Sequence, residues 1–163
     1  MVDDTTEVSS ILEEVMQRLQ DRAWRVAVAE SATGGLLGHY LSKRSGSSAV
    51  FWGGVIAYSN DVKTGLLGVH EESIARWGAV SAQVALEMAQ GARAAVGVEV
   101  ALSTTGIAGP TGATAYKPLG LYYIGVAVPL ESWCWRHQFG GDREENNRLA
   151  AQAALDHLLT VLG

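Results

Sequence analysis

The sequence predicts an α/β protein, a three-layer α/β/α sandwich with a mixed sheet, as a single domain over residues 1–163. Three observations carry this. Short apolar runs of strand length alternate with segments of helical period along the whole chain. No repeat, linker or low-complexity tract divides it. The run Val26-Ala27-Val28-Ala29 also passes straight into the small turn Glu30-Ser31-Ala32-Thr33-Gly34-Gly35, and a helical pattern follows at once. Alternating units of this kind place helices on both faces of a sheet.

The elements follow in order. Val8, Ile11, Leu12, Val15, Met16 and Leu19 recur at helical spacing, with Asp4 and Glu7 as a capping pair. Arg25–Ala29 reads as a buried strand and Thr33–Leu41 as a helix ending at Lys43-Arg44-Ser45-Gly46. Ala49–Tyr58 is apolar, aromatic and β-branched, hence a strand, with a bend or bulge at Gly53-Gly54. Short helices are expected over Asn60–Leu67, stopped by Gly68, and over Glu71–Trp77. Ser81 caps an alanine-rich helix to about Ala95, with Val84, Met88 and Ala92 on one face. Val98–Thr104, Gly120–Val128 and Ser132–Phe139 read as strands, the first two separated by a loop punctuated with glycine and proline. A last helix runs from about Arg143 to Leu162, capped by Asp142.

Composition removes several function classes. Seventeen acidic against twelve basic side chains give a net charge of −5, and no basic stripe appears, so nucleic acid is not an expected partner. Cys134 is the only cysteine, which excludes an intrachain disulfide or a thiolate metal cluster and fits a reducing cytoplasm. The N-terminal residues lack a basic-then-apolar signal pattern and no apolar run approaches spanning length, so no membrane association is expected. His39, His70, His137 and His157 are scattered over different elements, and HExxH, GxSxG, GxGxxG and Walker-type loops are missing. No metal and no cofactor is expected.

The junction at Ser31 is the focus of the remaining chemistry. A strand–turn–helix junction presents backbone N–H groups to an anion and lifts the hydroxyls of Ser31 and Thr33 to the same place. Such a serine is a helix cap or a nucleophile. Thr104-Thr105-Gly106-Ile107-Ala108-Gly109-Pro110 leaves another strand end, where ligands of open α/β sheets bind. Lys63 follows the aromatic strand that ends in Tyr58. Buried, it is a general base for a serine hydroxyl; exposed, it is an ordinary helix lysine. Arg143 in a first helical turn opposes the helix dipole and needs an anionic partner, either a ligand or an acidic side chain.

Six blocks in order carry a specific resemblance. They are Ala29-Glu30-Ser31-Ala32-Thr33-Gly34-Gly35, Gly46-Ser47-Ser48, Gly53 to Asn60 with Lys63, Gly78-Ala79-Val80-Ser81, Thr105 to Pro110 with Lys117-Pro118, and Gly141-Asp142-Arg143. Together they resemble the CinA C-terminal domain family, over roughly Glu7 to the C-terminus, in its stand-alone nicotinamide-nucleotide amidohydrolase form. The resemblance implies hydrolysis of nicotinamide mononucleotide (NMN) to nicotinic acid mononucleotide and ammonia, a step of pyridine-nucleotide salvage, by a serine–lysine pair at Ser31 and Lys63. It further implies a supporting role for Ser48, with oxyanion contacts near the Ser31 turn or Gly46. Tyr58 is expected against the pyridine ring and Thr105 and Gly106 at the substrate. Arg143, with the amides of Thr33, Gly34 and Gly35, is expected at the phosphate. It also implies a homodimer or higher homo-oligomer, for which Trp52, Trp77, Trp133 and Trp135 are candidate surface or core residues.

Departures from the family pattern are few. Ala32 replaces a frequent cysteine, the segment Thr111–Tyr116 is poorer in glycine, and Asn146-Asn147 replaces an apolar residue and an arginine. Two other readings stay open: a non-catalytic nucleotide-binding or competence-associated module, and an amidohydrolase for a different amide.

Overall fold

The computed structural model describes residues 4–163, and side chains from residue 7 onward, so the Asp4 half of the expected capping pair lies outside the described side chains. Five strands, β1 (Val26–Glu30), β2 (Phe51–Ile56), β3 (Val100–Gly106), β4 (Leu121–Val128) and β5 (Glu131–Gln138), form one sheet in the order β2-β1-β3-β4-β5. β1 pairs in parallel with both β2 and β3, whereas β4 pairs antiparallel with both β3 and β5, so the sheet is mixed. Among the described residues six α-helices accompany it: α1 (Asp4–Asp21), α2 (Leu36–Ser42), α3 (Asn60–Leu67), α4 (Glu71–Trp77), α5 (Ala82–Val96) and α6 (Arg143–Leu162).

Strand pleating sorts the core into two layers. Val26 and Val28 of β1, with Val100 and Leu102 of β3, pack against α1, α2 and α6 through Leu12, Val15, Leu37, Leu155 and Leu158. Ala27 and Ala29, on the other face, meet Leu67, Val84, Met88 and Ala92 of α3 and α5. The small alanines on that face let α5 lie close to the sheet. Consecutive residues at the end of β1 therefore enter different layers, which matters for Glu30 and Ser31.

Boundaries shift where local chemistry overrides periodicity. The expected helix at Thr33 begins only at Leu36, because Gly34 (φ +58°) and Gly35 (φ +109°) take left-handed backbone and hold residues 31–35 as a turn. The strand expected over Ala49–Tyr58 is shorter, and Ser47–Ala49 forms a 3₁₀ turn before it. The anticipated bulge is present: Val26 pairs with Phe51 and Ala27 with Gly53, leaving Trp52 as the extra residue. Trp52 and Trp77 are about half exposed, while Trp133 and Trp135 pack against the α1/α6 core. Among the described residues, no helix is long and apolar enough to cross a membrane.

Candidate active site

The chain leaves β1 toward α2 on one face and returns to β3 from α5 on the other, so the carboxyl ends of β1 and β3 flank a topological switch point. A crevice forms at such a point. Ser31 stands at the end of β1, and its N–H donates to the Thr104 carbonyl of β3 at 3.0 Å. The next strand supplies Lys63. After β2, Ala57 donates its N–H to the Glu30 carbonyl (2.7 Å), Ser59 caps α3 by accepting from the Val62 N–H, and the first turn of α3 carries Lys63 back under Ser31.

Lys63 is only 1% exposed. Its Nζ lies 3.1 Å from Ser31 Oγ, 2.9 Å from the Ala57 carbonyl oxygen and 3.3 Å from that of Tyr58. Burial disfavours the ammonium form and pulls the Lys63 pKa below its ordinary value of 10.5. Among the described residues no carboxylate pairs with it. A neutral amine has two N–H donors and one lone pair. In the ammonium form Nζ donates to Ser31 Oγ; in the neutral form the two carbonyls can take both donors, which leaves the lone pair facing the Ser31 hydroxyl.

Arg143 closes the other side. It is the first residue of α6, after the Asp142 N-cap, whose Oδ1 accepts from the Glu145 N–H. Its guanidinium donates to the Tyr58 hydroxyl (2.9 Å) and to the Gly109 carbonyl (2.9 Å). Both partners are neutral, and among the described residues no carboxylate pairs with it, so the charge has no ion-pair partner beside Tyr58. Of the two partners foreseen for Arg143, an acidic side chain is not the one found. Tyr58 is 61% exposed, its ring projecting from the surface at this point.

Other expected residues lie elsewhere. Ser48 and Gly46 precede β2, whereas Lys63 follows it. Since β2 runs parallel to β1, they sit at the opposite end of the sheet from Ser31, about 20 Å away at the usual strand rise. Within this chain, Ser48 neither orients Lys63 nor relays its proton, and the Gly46 backbone is not an oxyanion donor. The Thr33 side chain is also turned away: its hydroxyl donates to Glu30 Oε1 (2.7 Å) and contacts Thr104 Oγ1 (2.6 Å) in the core. Thr105 is 1% exposed and donates to the Ala79 carbonyl, tying β3 to the segment before α5. Gly106 is a glycine for packing, since a Cβ there would lie 2.3 Å from the Tyr122 ring. Gly34 donates its N–H to the Ser31 carbonyl, closing the turn. Arg148 pairs with Glu145 and does not join Arg143.

Three buried groups of the site had no assigned role in the sequence reading. Glu30 accepts from the Leu37 N–H at 2.8 Å and the Gly38 N–H at 2.9 Å, so the α2 start is filled from inside the protein. Asn146 donates to the Ala108 and Gly141 carbonyls and accepts from the Gly141 N–H, pinning the loop after β3 to α6. Tyr122 donates to Asn147 Oδ1 beneath Gly106, and burial pushes its pKa up against the opposing charge of Arg143. A charged residue closing an apolar strand was the visible signal for Glu30. For Asn146 it was a polar residue on the inner face of an alanine-rich helix.

A buried serine–lysine pair at the switch point of a three-layer α/β/α sandwich defines the class. The CinA C-terminal domain model matches residues 8–162, and the chain belongs to that family. It is 51% identical over 144 residues to a CinA-like protein of Salinibacter ruber, covering 88% of this chain and 35% of that protein. A CinA-like protein of Syntrophobacter fumaroxidans is 50% identical over 152 residues, covering 93% of this chain and 36% of that one. The chain thus spans about a third of the length of these curated relatives. Among solved structures, a competence/damage inducible protein from Agrobacterium tumefaciens superposes with a TM-score of 0.92 at 34% identity, over 95% of both chains. A CinA superfamily protein from Escherichia coli gives 0.93 at 30% identity, covering 99% of this chain and 94% of that one.

Proposed function

We propose that this chain is an amidohydrolase that converts NMN and water to nicotinic acid mononucleotide and ammonia. The observation that carries the proposal is the desolvated Lys63 amine, 3.1 Å from Ser31 Oγ, with its two other contacts taken by backbone carbonyls. A protein that only bound a nucleotide would have no use for a buried amine aimed at a hydroxyl.

The steps balance with this pair alone. Ser31 Oγ attacks the carboxamide carbon as its proton passes to Lys63 Nζ, and the carbonyl oxygen becomes an oxyanion. The amides of Ala32 and Thr33 donate to no acceptor among the described residues, and they flank the nucleophile as its oxyanion donors. The C–N bond then breaks, and the Lys63 proton goes to the leaving nitrogen to release ammonia. Water attacks the resulting ester, Lys63 takes its proton and returns it to Ser31 Oγ, and the carboxylic acid departs. The Tyr58 ring lies along the pyridine, and the uncompensated Arg143 guanidinium receives the phosphate.

Ammonia release from NMN tests this, with Ser31→Ala and Lys63→Ala run beside the unaltered protein. A loss of about a hundredfold or more in both variants is expected for a nucleophile and its base. Full turnover in Ser31→Ala would instead indicate direct attack by water. NMN binding without ammonia release would indicate a nucleotide-binding module, and equal turnover of a phosphate-free amide would indicate a different substrate.

A further inference from the structure

We propose that Glu30 is the positioning residue of the Ser31 turn: its carboxylate occupies the start of α2 as a built-in anion and fixes the turn that aims the Ala32 and Thr33 amides. The inference rests on the reading of Ser31 as an acyl-transfer nucleophile and adds a residue that never touches substrate. Glu30 is 1% exposed. Strand pleating sends it toward α2, in the layer of Val28, while Ser31 follows Ala29 toward α3 and α5.

Three donors converge on this one carboxylate. Oε1 accepts from the Thr33 hydroxyl and the Leu37 N–H, and Oε2 accepts from the Gly38 N–H, all within 2.9 Å. Thr104 extends the chain of contacts through its hydroxyl to Thr33, and its carbonyl accepts the Ser31 N–H. Ser31, Thr33, Leu37 and Gly38 are thereby linked to one another through Glu30 and Thr104. Gly35, at the N-cap of α2, brings no side-chain cap of its own, so the cap comes from the preceding strand.

Two consequences follow for the reaction. With Leu37 and Gly38 committed to Glu30, a substrate anion finds the α2 start occupied by negative charge, and its phosphate is directed to Arg143. The Ala32 and Thr33 amides, left over by this arrangement, sit in a turn whose position is set by buried hydrogen bonds to Glu30 and not by the substrate. Preorganised donors of this kind act on the transition state and not on the bound ground state.

The test uses the full chain with Glu30→Gln, which keeps the shape but sets an amide NH₂ against one of the backbone donors. Two rates are read: NMN turnover, and modification of Ser31 by a fluorophosphonate followed by intact mass. In the second, the Oγ–P bond forms, the P–F bond breaks, and the serine proton leaves with fluoride through Lys63. The expected result is a fall of about a hundredfold in kcat and in the modification rate, the scale of a misplaced reacting geometry. KM and the pH midpoint of kcat should stay unchanged, because Arg143 and Lys63 are untouched. A kcat equal to the unaltered protein, or a loss that appears as KM, overturns the proposal. Should Glu30→Gln not fold, Thr33→Val removes one donor from the same carboxylate and must lower kcat while Thr33→Ser preserves it; equal kcat in the two overturns it. Ser31→Ala separates the two claims. If it abolishes turnover while Glu30→Gln does not, only the role of Glu30 fails. If Ser31 is neither modified nor required, the nucleophile and the positioning role fail together.

Discussion

Arg143 and Tyr58 are eighty-five residues apart in the chain and meet through a 2.9 Å hydrogen bond from the guanidinium to the phenol oxygen. One group comes from the first turn of α6 and the other from the segment after β2, so the contact ties the start of α6 to the segment that leads into the Lys63 helix. Arg143 also holds the Gly109 carbonyl of the loop after β3. Replacing it with alanine removes the charge but leaves Ser31 and Lys63 in place. Hydrogen bonds to charged groups contribute about 1.5–3 kcal/mol, so KM for NMN should rise about 10- to 100-fold in Arg143→Ala. Turnover of the corresponding nucleoside, which lacks the phosphate, should change little. Steady-state kinetics on both substrates checks this, and equal losses on the two would place the phosphate elsewhere.

Lys63 gives a pH prediction with a definite sign. The proposed reaction needs the neutral amine, and burial lowers the lysine pKa below 10.5, so kcat/KM should rise with pH through a midpoint below that value. The same shift carries a stability penalty. In the unfolded chain Lys63 binds its proton up to about pH 10.5, and in the folded chain only up to a lower pH, so the unfolded state holds more protons in between. Stability therefore rises with pH across that window, and is reduced below it. Lys63→Met should abolish turnover yet melt at or above the temperature of the unaltered protein at pH 7. Calorimetry with the activity assay reads both.

The parts of the site that the sequence made legible are those where residue type alone restricts the options. Gly34-Gly35 after a strand requires a turn, a scarce lysine after an apolar, aromatic strand invites desolvation, and an arginine in a first helical turn calls for a partner. What was not legible depended on direction. Ser48 and Lys63 lie on either side of β2 and look close in the sequence, but the parallel pairing of β2 with β1 puts them at opposite ends. Thr104 and Thr105 are adjacent, yet pleating sends one hydroxyl to Thr33 and the other to Ala79. A strand's facing is set by its register with neighbours distant in sequence, and local patterns do not contain it.

Asn146 is a polar residue of α6 almost wholly buried, at 1% exposure. Its amide satisfies the Ala108 carbonyl and both backbone groups of Gly141. Asn146→Leu keeps the volume but leaves those groups unpaired, which costs about 1–3 kcal/mol for each one that stays buried. The loop carrying Gly109 should loosen with it, so KM should rise alongside a lower denaturation midpoint. Urea unfolding and NMN kinetics on one preparation test the pairing of the two effects. A change in stability with KM intact would separate the loop anchor from the binding site.

His137 on β5 and His157 on α6 face each other with their Nε2 atoms 2.7 Å apart, and His157 stacks on Trp135 at 4.0 Å between ring centres. One ring donates and the other accepts, which requires at least one neutral imidazole. Burial lowers both pKa values, and the neighbouring His137 adds to the effect on His157, bringing it down to about 4. In the unfolded chain both titrate near 6.5, so as pH falls from there toward 4 the unfolded state takes up protons that the folded state refuses. Stability should therefore decline across pH 6.5 to 4, with nothing gained from the pair above that range. Glu99, held down to about 2 by Arg25, loses its contribution only as pH falls from 4.5 toward 2, so the two effects occupy different windows. His157→Phe keeps the stack on Trp135 and removes the titrating ring. It should flatten the decline between pH 6.5 and 4 while leaving the more acidic loss in place. Thermal midpoints measured at half-unit intervals of pH show which limb moves, and an unchanged slope above pH 4 in His157→Phe would assign that limb to other groups.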